Sequence, residues 1–142
     1  MSNGFAVRGL AEILGLTWQA APAVFSEAAL KSLAQTVFRS LRTHDLVYVH
    51  LGVRSAQAVE RLVAMERLDQ LVLKPLTARL PAVGDWRLLV VLDDPAHGSV
   101  PFVAIGTGVP QQPIAQLTTD RLAESPLTFS DALKLSSWFR TA

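Results

Sequence analysis

The chain contains no cysteine and only three histidines among its 142 residues. Without thiolates it can form neither a disulfide nor a zinc–thiolate or iron–sulfur site, and it has no cysteine nucleophile. A metal site would have to depend on carboxylates, with help from His44, His50 or His97. The absence of cysteine therefore removes several large classes of metal and redox protein.

Charge is also scarce, and the two signs balance. Lys and Arg number 13, Asp and Glu number 12, and charged residues make up 18% of the chain. The cations are scattered, so no strong field exists to attract nucleic acid or an anionic membrane. Because half of the residues are hydrophobic, intrinsic disorder is excluded as well. We expect a folded protein that binds neither nucleic acid nor membrane.

Long hydrophobic runs are missing. The run Leu88–Leu92 has the length of a strand, far short of the roughly 20 residues that cross a bilayer. The first residues lack the basic segment and apolar stretch of a secretory signal. We therefore expect a cytoplasmic protein, and its length predicts a single domain over residues 1–142.

Helical spacing of apolar residues predicts several helices. The first covers Phe5–Leu14 and ends at Gly15. Ser26 is the predicted N-cap of a second helix, with an apolar face made of Leu30, Leu33, Ala34, Val37, Phe38 and Leu41. A third region runs from Ser55 to about Leu80, with a kink or end near Pro75. Its stripe consists of Ala58, Leu62, Met65, Val72, Leu76 and Leu80.

Towards the C-terminus, a short helix is predicted over Thr118–Glu124. A last helix is predicted to end near Phe139, with Thr128 or Ser130 as its cap.

Four apolar segments alternate with the helices and are predicted to be strands: Leu16–Gln19, Asp45–Leu51, Trp86–Leu92 and Val100–Ile105. Strands that are apolar on both faces are typical of a parallel sheet covered by helices. The predicted class is α/β, with a mostly parallel sheet of about four strands. In such sheets ligands bind beyond the carboxyl ends of strands, here at His50–Ser55 and Asp93–Ser99.

Four stretches together resemble one known family. They are Val7–Leu16, Asp45–His50, Ala64–Asp69, and Gly84–Asp93 continued by Val100-Pro101-Phe102. In this order they resemble the C-terminal part of the archaeal-type cofactor-independent phosphoglycerate mutases, of the alkaline-phosphatase-like metalloenzyme superfamily. The resemblance runs over nearly all of the chain and implies an alkaline-phosphatase-like half-domain.

Members of that family bind two divalent metals and transfer a phosphoryl group through a Ser or Thr nucleophile. The resemblance places that nucleophile upstream of the segment that this chain matches. The family's ligand-bearing loop corresponds to Leu51–Ser55, which holds no carboxylate and no histidine. Its Asp-His pair and downstream His correspond to Asp93, Asp94 and His97. The resemblance thus implies a vestigial metal site, with too few ligands for two ions.

The candidate residues also have structural explanations. Asp before proline and glycine after histidine are ordinary turn formers, which would account for the Asp93–Ser99 loop. Arg54 and Ser55 could bind an anion at a helix N-terminus, or Ser55 could be a plain N-cap. His50 is expected to be a structural histidine. Gly106-Thr107-Gly108 only weakly suggests a phosphate loop.

The favoured prediction is a non-catalytic relative of the mutases with a structural or protein-binding role, with no catalytic residue and no cofactor. A homo-oligomer or a protein partner would cover the sheet that the missing segment leaves exposed. The alternative is a mutase or phosphatase that uses Mn or Zn and is completed by another chain. A third hypothesis is a module that binds a small molecule or nucleotide at the strand ends.

Overall fold

The computed structural model describes residues 1–2, 5–23, 25–53, 55, 57–92, 100–110, 125 and 127–141. They belong to two compact units, Met1–Gly84 and Asp85–Ala142. The first unit contains α1 (Phe5–Ile13), α2 (Glu27–Ser40), α3 (Ala58–Leu68), a π-helical turn (Asp69–Leu73), α4 (Lys74–Arg79) and a 3-10 turn (Leu80–Val83). The second contains β1 (Arg87–Val91), β2 (Phe102–Gly106) and α5 (Ala132–Thr141). The expectation of a single domain stays a prediction.

Helix α2 forms the centre of the first unit. It begins where the sequence predicts, because the Ser26 hydroxyl accepts a hydrogen bond of 3.3 Å from the Ala29 N–H. Its buried residues are Leu30, Leu33, Ala34 and Val37, which confirms four members of the predicted apolar face. The helix packs against α3, α4 and the π-helical turn.

The predicted third helical region is confirmed, but it does not end at Pro75. The π-helical turn Asp69–Leu73 immediately precedes α4, which has Pro75 in its first turn. A proline lacks the N–H that an α-helix needs, and its ring crowds the carbonyl four residues earlier. A widened turn accommodates both effects without ending the helix. The region from α3 to the 3-10 turn therefore keeps one row of buried residues, which consists of Ala64, Val72, Leu76 and Leu80.

Two predicted strands of the first unit, Leu16–Gln19 and Asp45–Leu51, form isolated bridges at or next to their ends instead of strands. Ser2 bridges Ala20 and His50, both in parallel orientation. The Ser2 N–H donates to the Gln19 carbonyl at 3.2 Å, and the His50 N–H donates to the Met1 carbonyl at 2.9 Å. No strand ladder continues from these bridges among the described residues. Within Asp45–Leu51 the side chains of Leu46 and Tyr48 are mostly exposed, so this segment is not covered on both sides.

The second unit contains a two-stranded antiparallel sheet. β1 pairs with β2 in a register that places Arg87 opposite Gly106 and Val91 opposite Phe102. The expected mostly parallel sheet of about four strands, with its alkaline-phosphatase-like arrangement, is therefore wrong for the described residues. The reason is the connection: ten residues separate the two strands, and a parallel crossover needs a dozen or more.

Aromatic contacts connect β2 to the last helix. Phe102 contacts Phe129 with ring centroids 5.7 Å apart, and Phe129 contacts Trp138 of α5 at 5.4 Å. The Arg87 guanidinium donates to the Phe139 carbonyl at 2.8 Å. These contacts fasten α5 to the sheet.

The predicted last helix is confirmed, but its cap is neither Thr128 nor Ser130. The Asp131 carboxylate accepts the Lys134 N–H at 2.8 Å and also the Ser130 hydroxyl at 3.0 Å. These bonds lower the pKa of Asp131 below its ordinary value, the backbone N–H contributing most. The predicted helix at Thr118–Glu124 lies outside the described residues.

Across the portion of the chain that the structure describes, every helix is too short or too polar to cross a bilayer.

Candidate functional site

The strand-end loop that carries the predicted metal residues lies outside the described residues. This applies to Asp93, Asp94 and His97, and also to Arg54. Within the described ranges, no three side chains of Asp, Glu or His come together as a metal site would require. The metal and anion assignments stay predictions.

Ser55 lies just before α3 and is engaged with the start of that helix. Its hydroxyl donates to the Glu60 carboxylate at 2.5 Å and accepts the Gln57 N–H at 3.0 Å. Its carbonyl accepts from the Arg61 guanidinium at 3.1 Å. Because a carboxylate already occupies the Ser55 hydroxyl, the electrostatics at this point are unfavourable for a second anion. The contacts support a structural role for Ser55, but the prediction that Ser55 is the N-cap is wrong, because the helix begins at Ala58 and its N-cap is Gln57.

His50 has a structural partner, as the sequence predicts. Its Nδ1 lies 3.2 Å from the hydroxyl oxygen of Ser2, a residue that is 1% exposed. Nearby, the Met1 amine donates to the Tyr48 carbonyl, and burial lowers the pKa of that amine. A hydroxyl buried this deeply cannot reach a substrate. The Ser2–His50 pair therefore holds the N-terminal residues against the segment that contains His50, and it does not act as a nucleophile and base.

Thr107 follows β2 in the segment that weakly suggests a phosphate loop. Its N–H donates to the Trp86 carbonyl at 2.8 Å, and its hydroxyl accepts the Trp86 N–H at 3.3 Å. Its carbonyl accepts from the Arg87 guanidinium at 2.8 Å. These polar groups bond to residues at the start of β1. The segment therefore joins the two strands at the end opposite their connection.

The clearest surface feature of the first unit is an apolar side of α3 that faces solvent. Ala58, Val59, Leu62, Met65 and Glu66 form this side, which we name the outer face of α3. Val59 is 70% exposed, Leu62 58% and Met65 45%. On the inward side of the same helix Ala64 is buried. The helix thus has apolar side chains on two sides, and only the side that contains Ala64 is buried.

A second apolar surface lies on α1. Leu10, Ile13 and Leu14 are spaced as neighbours on one helical side, and all three are mostly exposed. On the other side Arg8 pairs with Glu12 at 2.8 Å and stacks over the Trp18 ring. The charged side is therefore fixed to the protein's own residues, whereas the aliphatic side is open.

The stripe predicted for the third helical region includes three residues of the outer face of α3, Ala58, Leu62 and Met65, but not Val59 or Glu66. Val72, Leu76 and Leu80 of that stripe are buried, whereas Ala58, Leu62 and Met65 are exposed. A signal was present in the sequence, since Ala64 and Leu68 add a second set of apolar positions to the same helix. A helix that is apolar on two sides has more apolar surface than one neighbouring element can cover.

Comparison of the chain with protein-family models, with curated proteins and with solved structures finds no match.

Proposed function

We propose that this chain is a non-catalytic protein with a structural or protein-binding role, and that apolar helix surfaces make its contacts with other chains. The observation that carries the proposal is the exposure of Val59, Leu62 and Met65 on the outer face of α3. Contiguous apolar patches on a folded protein mark interaction sites.

The open aliphatic side of α1 supports the same proposal. Ile13 is 83% exposed and Leu14 is 61% exposed. An amphipathic helix with anchors at such spacing is a common way of contacting another protein. Two separate apolar surfaces in one unit of 84 residues favour a binding role over a site for a small ligand, which needs a concave pocket.

The hydrogen bonds of the polar candidate residues are consistent with a non-catalytic protein. Ser55, His50 and Thr107 each bond to neighbouring residues of their own unit. The alternative function, metal-dependent phosphoryl transfer completed by another chain, would rest on Asp93, Asp94 and His97. It requires metals to neutralise the developing charge on the phosphoryl group, and the resemblance supplies only a reduced set of ligands for them.

Activity measurements on the purified chain test the proposal. We expect no hydrolysis of phosphomonoesters and no phosphoglycerate mutase turnover with Mn, Zn or Mg present. Metal-dependent turnover that disappears in an Asp93→Asn, Asp94→Asn double variant would overturn the proposal and favour the alternative. The control is Asp45→Asn, which removes the charge of an exposed carboxylate outside the predicted loop.

A further inference from the structure

We propose that the free edge of β1 pairs with the same edge of a second copy of this chain. The two copies of β1 would run antiparallel about a two-fold axis at Leu89, and the two hairpins would form one continuous sheet. This inference goes beyond the proposed function, because it uses a backbone edge of the second unit instead of an apolar helix surface of the first.

Hydrogen bonds at both ends of the hairpin show which residues of β1 bond to β2. The Leu92 N–H donates to the Pro101 carbonyl at 3.0 Å, and the Thr107 N–H donates to the Trp86 carbonyl at 2.8 Å. In an antiparallel pair, residues that bond to the neighbouring strand alternate with residues that do not. The even-numbered residues of β1 therefore direct their N–H and C=O groups to β2, and the odd-numbered residues direct theirs to the other side.

The outward N–H and C=O groups belong to Arg87, Leu89 and Val91, and we name them the outer edge of β1. Among the residues that the structure describes, none pairs with these groups. β2 has a less complete edge, because the Gly106 carbonyl already accepts the Val109 N–H at 3.2 Å. Unpaired backbone groups in a row are a template for another extended strand. The partner that suits this edge is therefore a strand.

β1 lacks the features with which proteins usually protect a sheet edge. Its five residues, Arg87–Val91, include no proline and no lysine, and its pairing with β2 runs without a bulge. Its one charged side chain, Arg87, donates to the carbonyls of Thr107 and Phe139 in its own unit. Because that charge is held by its own chain, an apolar strand can approach the edge.

A second copy of β1 matches every group on the outer edge. In an antiparallel pair centred on Leu89, this residue bonds through both its N–H and its C=O to Leu89 of the second copy. Arg87 bonds in the same way to Val91 of the second copy, once at each end. A shift of the register by two residues would leave part of each edge unpaired. The side chains brought together near the axis are apolar, Leu89 beside Leu89 and Leu88 beside Val90.

Like charges limit the length of this pair. If the pairing continued beyond the ends of β1, Asp85 would meet Asp93 of the second copy, and the two carboxylates would repel. The pairing is therefore confined to Arg87–Val91. Because the contact is short, the dimer should be weak and dependent on concentration. Added salt should strengthen it, since salt screens repulsion between exposed charges.

Sedimentation equilibrium of the full chain, over a wide range of protein concentration, should show a monomer–dimer equilibrium. Val91→Lys should weaken the association at least about tenfold, because the lysine would lie beside Arg87 of the second copy and like charges at an interface repel. The matched control is Val103→Lys. Val91 is 45% exposed and Val103 is 39% exposed, but Val103 lies on β2, away from the outer edge of β1.

Disulfide cross-linking tests the direction of pairing, and the absence of native cysteine makes every introduced thiol unique. Leu89→Cys should form a cross-linked dimer on mild oxidation, because residues that exchange both hydrogen bonds have Cα atoms about 5.5 Å apart. Val91→Cys should not. The two copies of residue 91 would lie about 13 Å apart along the strands, whereas a disulfide needs Cα atoms within about 7 Å.

The possible results separate this inference from the proposed function. A cross-link at residue 89 but not at residue 91, with association weakened in Val91→Lys and kept in Val103→Lys, would support the antiparallel pair. Cross-links at both positions would show a parallel pair and overturn it. A chain that stays monomeric, or a dimer that Val91→Lys leaves unchanged, would also overturn it, while leaving α1 and α3 as contact surfaces. Metal-dependent turnover would instead overturn the proposed function.

Discussion

At the scale of single residues, Gly106 shows how one backbone position can determine the end of a hairpin. Its φ is +125°, and a Cβ atom there would lie 2.2 Å from the Trp86 carbonyl oxygen and 2.8 Å from the Arg87 Cα. Side chains rarely adopt this backbone conformation, and both clashing atoms belong to the backbone. The position therefore requires glycine for two independent reasons.

We predict that Gly106→Ala lowers the free energy of unfolding by at least about 2 kcal/mol, because it combines backbone strain with a steric clash. The control is Gly9→Ala in α1, where a Cβ would meet nothing within 4 Å. That change should raise stability by roughly 0.5–1 kcal/mol. Urea denaturation followed by tryptophan fluorescence measures both. Equal midpoints for Gly106→Ala and the unchanged chain would contradict the prediction.

Asp131 gives a pH-dependent contribution at the same scale. Its pKa lies below the ordinary value of 3.8, chiefly because its carboxylate accepts the Lys134 N–H. A carboxyl with a lowered pKa stabilises the fold fully above its unfolded pKa, and the contribution is lost as the pH falls through its folded pKa. We predict that acid weakens α5 in the window below pH 3.8.

Comparison with Asp131→Asn measures this effect, because asparagine keeps a capping oxygen but does not titrate. The urea midpoint of the unchanged chain should fall more steeply with acid than that of the variant, and the carboxyl pKa can be read from nuclear magnetic resonance. Parallel pH profiles for the two proteins would show that Asp131 contributes no pH-dependent stability.

At the scale of elements, α2 was predictable because local and tertiary signals agree. The Ser26 cap and the repeat of Leu30, Leu33 and Val37 indicate the same helix and the same buried side. Helix α3 was predictable only in its extent. Which of its two apolar sides is covered depends on where α2 lies, and residue spacing within α3 carries no information about that.

Burial along α2 leads to a prediction with a matched pair. Leu30 is 0% exposed and Leu133 is 83% exposed, although both are helical leucines. Leu30→Ala should cost about 2–5 kcal/mol, because it removes buried methyl groups and leaves a cavity. Leu133→Ala should change stability by less than about 0.5 kcal/mol. Thermal denaturation measures both, and similar losses for the two variants would contradict the burial of Leu30.

At the scale of the whole molecule, the sequence predicted where β1 and β2 lie but not how they pair. The apolar run at Leu88–Val91 indicates a strand whatever its neighbour is. Pairing direction depends on the connection, and the ten residues between the strands dictate an antiparallel pair. The alternation of helices with apolar strands favours a parallel sheet, but that pattern takes no account of the length of the connection between these two strands.

The last prediction concerns metal binding by the molecule as a whole. A ligand that binds only the folded state raises its stability, by about 2.7 kcal/mol when its concentration is a hundred times its dissociation constant. Because the proposed function needs no metal, we expect Mn and Zn to leave the melting temperature unchanged. Differential scanning calorimetry of the purified chain, after chelation and with each metal added back, measures this. A rise that is lost in Asp93→Asn, Asp94→Asn would show that the predicted vestigial site binds a divalent cation, and a protein-binding role alone would no longer account for those residues.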